Sequence, residues 1–329
     1  MRWSLFCAVL AVLGLAGGPA RAVSIDWVKV GDPGNAPDDT VLGFGAVSYT
    51  YRISRYEVTN AQYAEFLNAV AASDANGLYN DQMEDHPQGG ITRIGSSGSY
   101  GYSAITGREQ MPVVFVSFWD ALRFSNWLHN GQPTGDQNGA TTEDGAYTIT
   151  AQGIPDNSVT RNPGAMAFLP NEDEWYKAAY YDSLTASYFG YPTGADAQTT
   201  CAAPGATPNT ANCEYVVGDL TPVGSYSTSA SSSGTFDQGG NAWEWSDTVI
   251  STLSRGVRGG GFQIDPNALS KSFVSLAPPE AEGGARGFRI AAPVPEPATG
   301  LLFALGLVGL ARRARRPRAH AAEGARVRS

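Results

Sequence analysis

The chain is poor in the residues that many catalytic centres need. Its 329 residues include 3 His and 3 Cys, and 16 % are charged, against about 25 % in an ordinary soluble domain. His86 and His129 are the two histidines between the terminal segments, which excludes a His-rich metal centre. The patterns H-E-x-x-H and G-x-S-x-G and the phosphate-cradling P-loop are missing. Gly256 to Gly261 lacks the strand–turn–helix setting of a nucleotide loop. No repeat of 20–50 residues is visible, which removes solenoids and propellers. Low charge argues against coiled coil. What is plentiful is Gly (39), Pro (20) and aromatics (7 Trp, 15 Tyr, 13 Phe). With 42 % hydrophobic residues the chain can fill a core, so wholesale disorder is excluded too.

Charge is unevenly placed. Setting aside the two Arg of residues 1–22 and the net +6 of residues 312–329 takes the formal −9 of the chain to −17 for the middle. A body that acidic repels phosphate backbones, so nucleic acid is excluded as a partner. It suits calcium, or plain solubility in an exposed compartment.

Both ends read as addresses. Arg2, the apolar stretch Leu5 to Ala16 and Ala20-Arg21-Ala22 form an export signal over residues 1–22, with the mature chain starting near Val23. At the other end, Pro293-Val294-Pro295-Glu296-Pro297 precedes an uncharged stretch, Ala298 to Ala311, and then Arg312, Arg313, Arg315 and Arg316. Fourteen helical residues rise about 21 Å, short of a ~30 Å hydrocarbon core. The Arg cluster holds the cytoplasmic side. Residues 293–329 resemble a PEP-CTERM sorting tail. That resemblance implies transient inner-membrane anchoring by residues 298–311 and cutting by an exosortase. The protein then passes to the cell envelope or surface of a Gram-negative bacterium, meeting the membrane only through its tail.

The body, residues 23–292, reads as one α+β domain, since no linker separates two periodic halves. Val47, Tyr49, Tyr51 and Ile53 alternate with polar residues, a half-buried strand. Thr59 and Gln62 form a capping box before Tyr63, Phe66, Leu67 and Val70 at helical spacing. Ser117 can cap a second helix carrying Ala121, Phe124, Trp127 and Leu128. Asn171 and Glu174 open a third, with Trp175, Ala178 and Ala179 inward. His129, at a helix end, suits a charge–dipole role. The remainder is mostly loop, and Ser225 to Ser233 reads as a solvated one.

Six segments then line up with one family. Tyr56-Glu57-Val58-Thr59-Asn60-Ala61-Gln62-Tyr63 comes first. Pro112-Val113-Val114 with Val116-Ser117-Phe118-Trp119-Asp120-Ala121 is the second, and Phe168-Leu169-Pro170-Asn171-Glu172-Asp173-Glu174-Trp175 the third. Gly240-Asn241-Ala242-Trp243-Glu244-Trp245, Arg258-Gly259-Gly260-Gly261-Phe262 and Gly287-Phe288-Arg289 complete the set. In this order they resemble the formylglycine-generating-enzyme, or sulfatase-modifying-factor, family over residues 45–291. The resemblance implies a loop-rich α+β domain related to C-type lectins. It also implies structural calcium, through carbonyls of Gly239, Gly240 and Ala242 with the Glu244 carboxylate, and a second site using Asn212. Calcium accepts such oxygen sets. If the Trp243–Trp245 stretch is extended, Glu244 lies opposite the two Trp; it is then a ligand or the partner of an Arg.

The family's oxidase chemistry needs copper held by two Cys thiolates, soft ligands suited to Cu(I). Both lie between the Arg-Gly-Gly and Gly-Phe-Arg motifs. Here that interval, Gly261 to Arg286, contains no Cys; Ser270, Ser272 and Phe273 sit there instead. No copper is expected and no catalytic residue is assigned. Cys201 and Cys213 are expected to form a disulfide, as exported chains favour. Family members that make carbon–sulfur bonds carry a three-His helix domain, which has no counterpart here. The reading is a calcium-stabilised, non-catalytic module binding an exopolysaccharide or envelope protein through loops such as Ser96 to Ser103 and Ser225 to Ser233. The alternative is a formylglycine-generating-type oxidoreductase, or another enzyme on the same scaffold.

Overall fold

A computed structural model describes residues 22–295. Residues 1–21 of the expected export signal (residues 1–22), the apolar stretch 298–311 and the Arg cluster lie outside the described residues. In chain order the first elements are β1 (Trp27–Val30), β2 (Tyr51–Ser54), α1 (Asn60–Val70), α2 (Gln82–Asp85), β3 (Ile91–Ile94) and β4 (Gly101–Ala104). Next come α3 (Phe118–His129), α4 (Glu172–Tyr180) and four two-residue strands, β5 (Tyr181–Asp182), β6 (Ser187–Tyr188), β7 (Thr200–Cys201) and β8 (Thr210–Ala211). The last part holds β9 (Trp243–Ser251), β10 (Ser254–Arg258), a 3-10 turn (Pro266–Leu269), β11 (Ser275–Ala277), β12 (Arg286–Gly287) and β13 (Ala291–Pro293).

The main helices start where their caps predict. Thr59, Ser117 and Asn171 each accept from the backbone N–H three residues on, and Gln62, Asp120 and Glu174 reach back to the cap. Each box satisfies two donors that a helix start leaves open. The predicted inner residues of α1 (Tyr63, Phe66, Leu67, Val70) are all buried. Their rings meet α3 directly: Phe66 lies 5.3 Å from both Phe124 and Trp127. Phe288 seals this seam, 5.3 Å from Phe124 and 6.4 Å from Tyr63. Full burial of each such side chain is worth about 1.5–3 kcal/mol, so this aromatic seam is a principal source of stability.

Two small sheets flank it. In one, β2 lies between β1 and β13, both antiparallel to it. In the other the order is β11-β10-β9-β12, with β9 and β10 an antiparallel hairpin and β12 parallel to β9.

Two sequence readings need correction. The strand expected from Val47 begins only at Tyr51, because the preceding backbone bonds elsewhere. The N–H of Val47 donates to Asn35 Oδ1, and its carbonyl accepts from Gly34. The Ser225 to Ser233 loop is not solvated throughout: Tyr226, Ser229 and Ser231 are buried, and Ser229 Oγ accepts from the Thr210 N–H. In α4 the expected inner residues Trp175, Ala178 and Ala179 are buried, and Glu172, Glu174, Tyr176 and Lys177 are buried with them.

Candidate functional site

The motif residues converge, and what they build is a buried polar frame. Glu244 lies on β9 opposite Arg258 of β10, and its carboxylate is wholly enclosed. Arg289 grips it with two bonds of 2.6 Å, Nε to Oε2 and Nη2 to Oε1, while Trp175 Nε1 donates to Oε2 at 2.6 Å. The rest of the Arg289 fork is used on backbone carbonyls, Ser54 at 3.0 Å and Phe236 at 2.9 Å. Burial disfavours this guanidinium's charge, but the charge of Glu244 and its bonds outweigh burial and leave the net shift upward.

A second pair repeats the design. Arg258 Nε donates to Glu172 Oε2 at 2.6 Å and Nη1 to the Phe273 carbonyl at 2.6 Å. Gly256 is bare because a Cβ there would sit 2.4 Å from Glu172 Oε1. A third is bidentate: Arg161 holds Glu174 at 2.8 and 2.7 Å and also reaches Asp247.

Neutral groups close the circuit. Asn241 Nδ2 donates to Glu57 Oε1 at 3.0 Å, and Trp245 Nε1 to the Val116 carbonyl at 3.1 Å. The Val58 N–H donates to the Phe288 carbonyl at 2.9 Å. Every one of the six motifs is therefore bonded to another. Beside Arg289, burial pushes Glu57 well up and Asp237 up to about 6, each further raised by neighbouring carboxylates.

The residues implied for calcium can be tested against this geometry. Glu244 is no free ligand: an ion there would have to displace a guanidinium that already balances its charge. Glu244 lies opposite the Trp pair as expected, but that face is covered by α4 and Arg289. Gly240 is pressed on Asn212, with a hypothetical Cβ 2.3 Å from its carbonyl oxygen, which accepts from the Asn241 N–H. Gly239 packs on Pro192, and Ala242 is buried. Asn212 Oδ1 is a buried acceptor without a partner, and its Nδ2 donates to the Asp219 carbonyl. The set does not fit a calcium held by Glu244; Asn212 alone offers an open oxygen. Among the described residues no three His, Cys, Asp or Glu come together as a metal site.

Cys201 and Cys213 are joined, with Cα atoms 5.0 Å apart. His129 lies in the last turn of α3, and its Nδ1 accepts from the Met166 N–H at 2.9 Å. The Ser96 to Ser103 segment forms the tip and second strand of the β3–β4 hairpin. Beside it, Arg93 stacks between Tyr79 and Tyr100, 4.5 and 4.7 Å from their ring centroids. Its guanidinium also binds Asp81 at 2.7 Å. The arginines of the frame were not assigned from sequence; the signal was that the fifth and sixth motifs each carry an Arg while the third and fourth carry Glu.

This is a loop-rich α+β domain whose signature residues bond to one another through its core. The profile of the sulfatase-modifying factor enzyme 1-like domain matches residues 45–294, and the chain belongs to that family. A PEP-CTERM protein-sorting motif matches residues 293–316. The chain is similar to the hercynine oxygenase of Mycobacterium tuberculosis, 23 % identical over 248 residues, which are 68 % of this chain and 48 % of that protein. It thus spans about half the length of that relative. Among solved structures it is similar to CarF, at 23 % identity and TM-score 0.53, covering 83 % of this chain and 100 % of that one. Treponema denticola variable protein 1 follows at 18 % identity and TM-score 0.49, with 82 % and 95 % covered. The likeness to CarF concerns the fold alone.

Proposed function

We propose that this chain is an exported, surface-sorted binding module without oxidase activity, taking a glycan or a protein partner on a lectin-like scaffold. The observation that carries the reading is the missing thiol pair. The interval between the Arg-Gly-Gly and Gly-Phe-Arg motifs has no Cys, while the frame around it keeps its ion pairs. A scaffold that retains its frame and lacks the soft ligands has kept folding, not oxygen chemistry. The PEP-CTERM motif supports exosortase processing at the inner membrane of a Gram-negative cell, with residues 298–311 as the transient anchor. Among the described residues no helix is long and apolar enough to cross a membrane.

The test pairs two measurements on the full chain. One is copper uptake together with O₂-dependent turnover of a Cys-containing peptide; the other is binding to exopolysaccharide and to envelope proteins. Binding without copper or turnover is the expected result. Turnover of the peptide would establish the oxidoreductase alternative and end this reading.

A further inference from the structure

We infer that the cavity between the Cys213–Gly218 loop and the segments around Phe262 and Gly284 binds one ring of a neutral, hexose-type glycan. This rests on the binding role proposed above and gives it a place and a ligand class. The cavity measures about 260 Å³, just under the ~300–1,000 Å³ of drug-sized pockets. It therefore suits a single ring better than a peptide segment.

Its wall carries no charged residue, although the body around it is strongly acidic. Two other concavities do carry charge, Asp26 and Glu57 in one and Asp74, Asp81, Arg93 and Glu282 in the other. An uncharged wall in an acidic body selects against an anionic ligand.

The polar groups that do face this space are unused. The carboxamides of Gln88 and Gln263 and the hydroxyl of Tyr215 make no hydrogen bond to protein among the described residues, and Gln263 Oε1 is buried without a partner. A carboxamide both donates and accepts, as a sugar hydroxyl does.

An aromatic platform completes the site. Tyr215 is 63 % exposed, and its ring stands edge-on to Phe262 at 5.7 Å. The loop is held in place from three sides. The Tyr215 N–H donates to the Phe262 carbonyl and the Glu214 N–H to that of Ile264, both at 2.9 Å, and the disulfide fixes Cys213. Glu214 and Tyr215 both adopt left-handed backbone, φ 53° and 57°. Such backbone is strained in residues other than glycine and persists where surrounding contacts impose it. The fold thus maintains a strained loop that presents one ring to solvent beside unpartnered amides. That ring can stack on the C–H face of a pyranose while the amides take its hydroxyls.

The experiment titrates the full chain, in a detergent without a sugar headgroup, with gluco-, galacto- and manno-configured neutral trisaccharides and a uronate trisaccharide. Calorimetry reads affinity. At least one neutral trisaccharide should bind, and the uronate at least tenfold more weakly. Tyr215→Ala, Gln88→Ala and Gln263→Glu should each weaken binding about tenfold or more with unchanged Tm. Gln88 and Tyr215 are outside the ion-pair frame, so their variants keep the test valid if Gln263→Glu fails to fold. Neutral-glycan binding indifferent to all three variants would overturn the site, and equal uronate binding would overturn the ligand class. An envelope protein bound with no trisaccharide bound would refute this inference while leaving the binding role standing. Neither bound, with the Cys peptide oxidised, would remove both.

Discussion

Breaking the Arg289–Glu244 pair decides whether this domain is held by a guanidinium or by calcium. In Arg289→Leu, Glu244 keeps only the Trp175 N–H, in a site where both partners are fully enclosed. The carbonyls of Ser54 and Phe236 lose a donor as well. Removing one member of a buried pair costs about 3–5 kcal/mol, because the other charge is left uncompensated. At roughly 2–4 °C per kcal/mol for a domain of this size, Tm falls by about 10 °C. Converting both residues, Arg289→Leu with Glu244→Leu, should recover most of that loss, since a buried pair is often close to neutral against apolar substitutes. The assay is thermal unfolding by circular dichroism, with and without EDTA and with millimolar calcium. In the wild type EDTA should leave Tm unchanged, and calcium should not rescue Arg289→Leu. A wild-type Tm that drops with EDTA by as much as the arginine substitution lowers it would refute the reasoning, for a bound ion would then be supplying the positive charge.

Three further outcomes follow from the same core. Burial, with the charge of Glu244 adding, holds Asp237 at about 6, against an ordinary 3.8. Its ionisation therefore opposes folding. The stability its protonated form allows is fully present below about pH 4 and is lost as pH rises through 6. Asp237→Asn should raise stability by about 3 kcal/mol at most at pH 7.5 and by almost nothing at pH 3.5, read by urea unfolding at both pH values. Gly240→Ala places a methyl 2.3 Å from the Asn212 carbonyl at φ +86°, so it should cost more than about 3 kcal/mol, visible as low soluble yield and a broadened melt. Cys213→Ala opens a loop with a sequence separation of 12 and should cost about 3 kcal/mol by the chain-entropy account. A melt of the same protein under reducing conditions should match it.

Local signals in this chain were legible because they are written within a few residues of each other. A capping box needs a Thr, Ser or Asn and its partner three positions on, so the starts of α1, α3 and α4 could be read directly. The inner residues of α1 followed from spacing alone. What could not be read is where a polar side chain finds its partner when that partner is distant in sequence. Alternation made Tyr49 look like part of a strand, but its hydroxyl donates to Glu174, 125 residues away. Ser229 and Ser231 sit in a run whose composition reads as solvent-exposed, and burial claims them because Thr210 and Thr235 supply bonds.

Glu244 shows why the same limit governs a candidate site. Strand alternation places it opposite Trp243 and Trp245, and on an ordinary half-solvated sheet the opposite face is where a carboxylate is free for a metal. Here that face is covered, because α4 is buried nearly all round and brings the Trp175 N–H onto the carboxylate, while Arg289 arrives from 45 residues downstream. A carboxylate and a guanidinium both enclosed and both bonded cancel each other's charge, which removes the electrostatic reason to bind a cation there. Tyr215 shows the converse: its sequence surroundings contain no motif, and only the folded chain sets its ring beside Phe262 and two amides with nothing to bond. In this domain the signature motifs are absorbed into the frame. The groups proposed to meet a ligand, Gln88, Tyr215 and Gln263, come from three segments far apart in the chain, where no sequence pattern pointed.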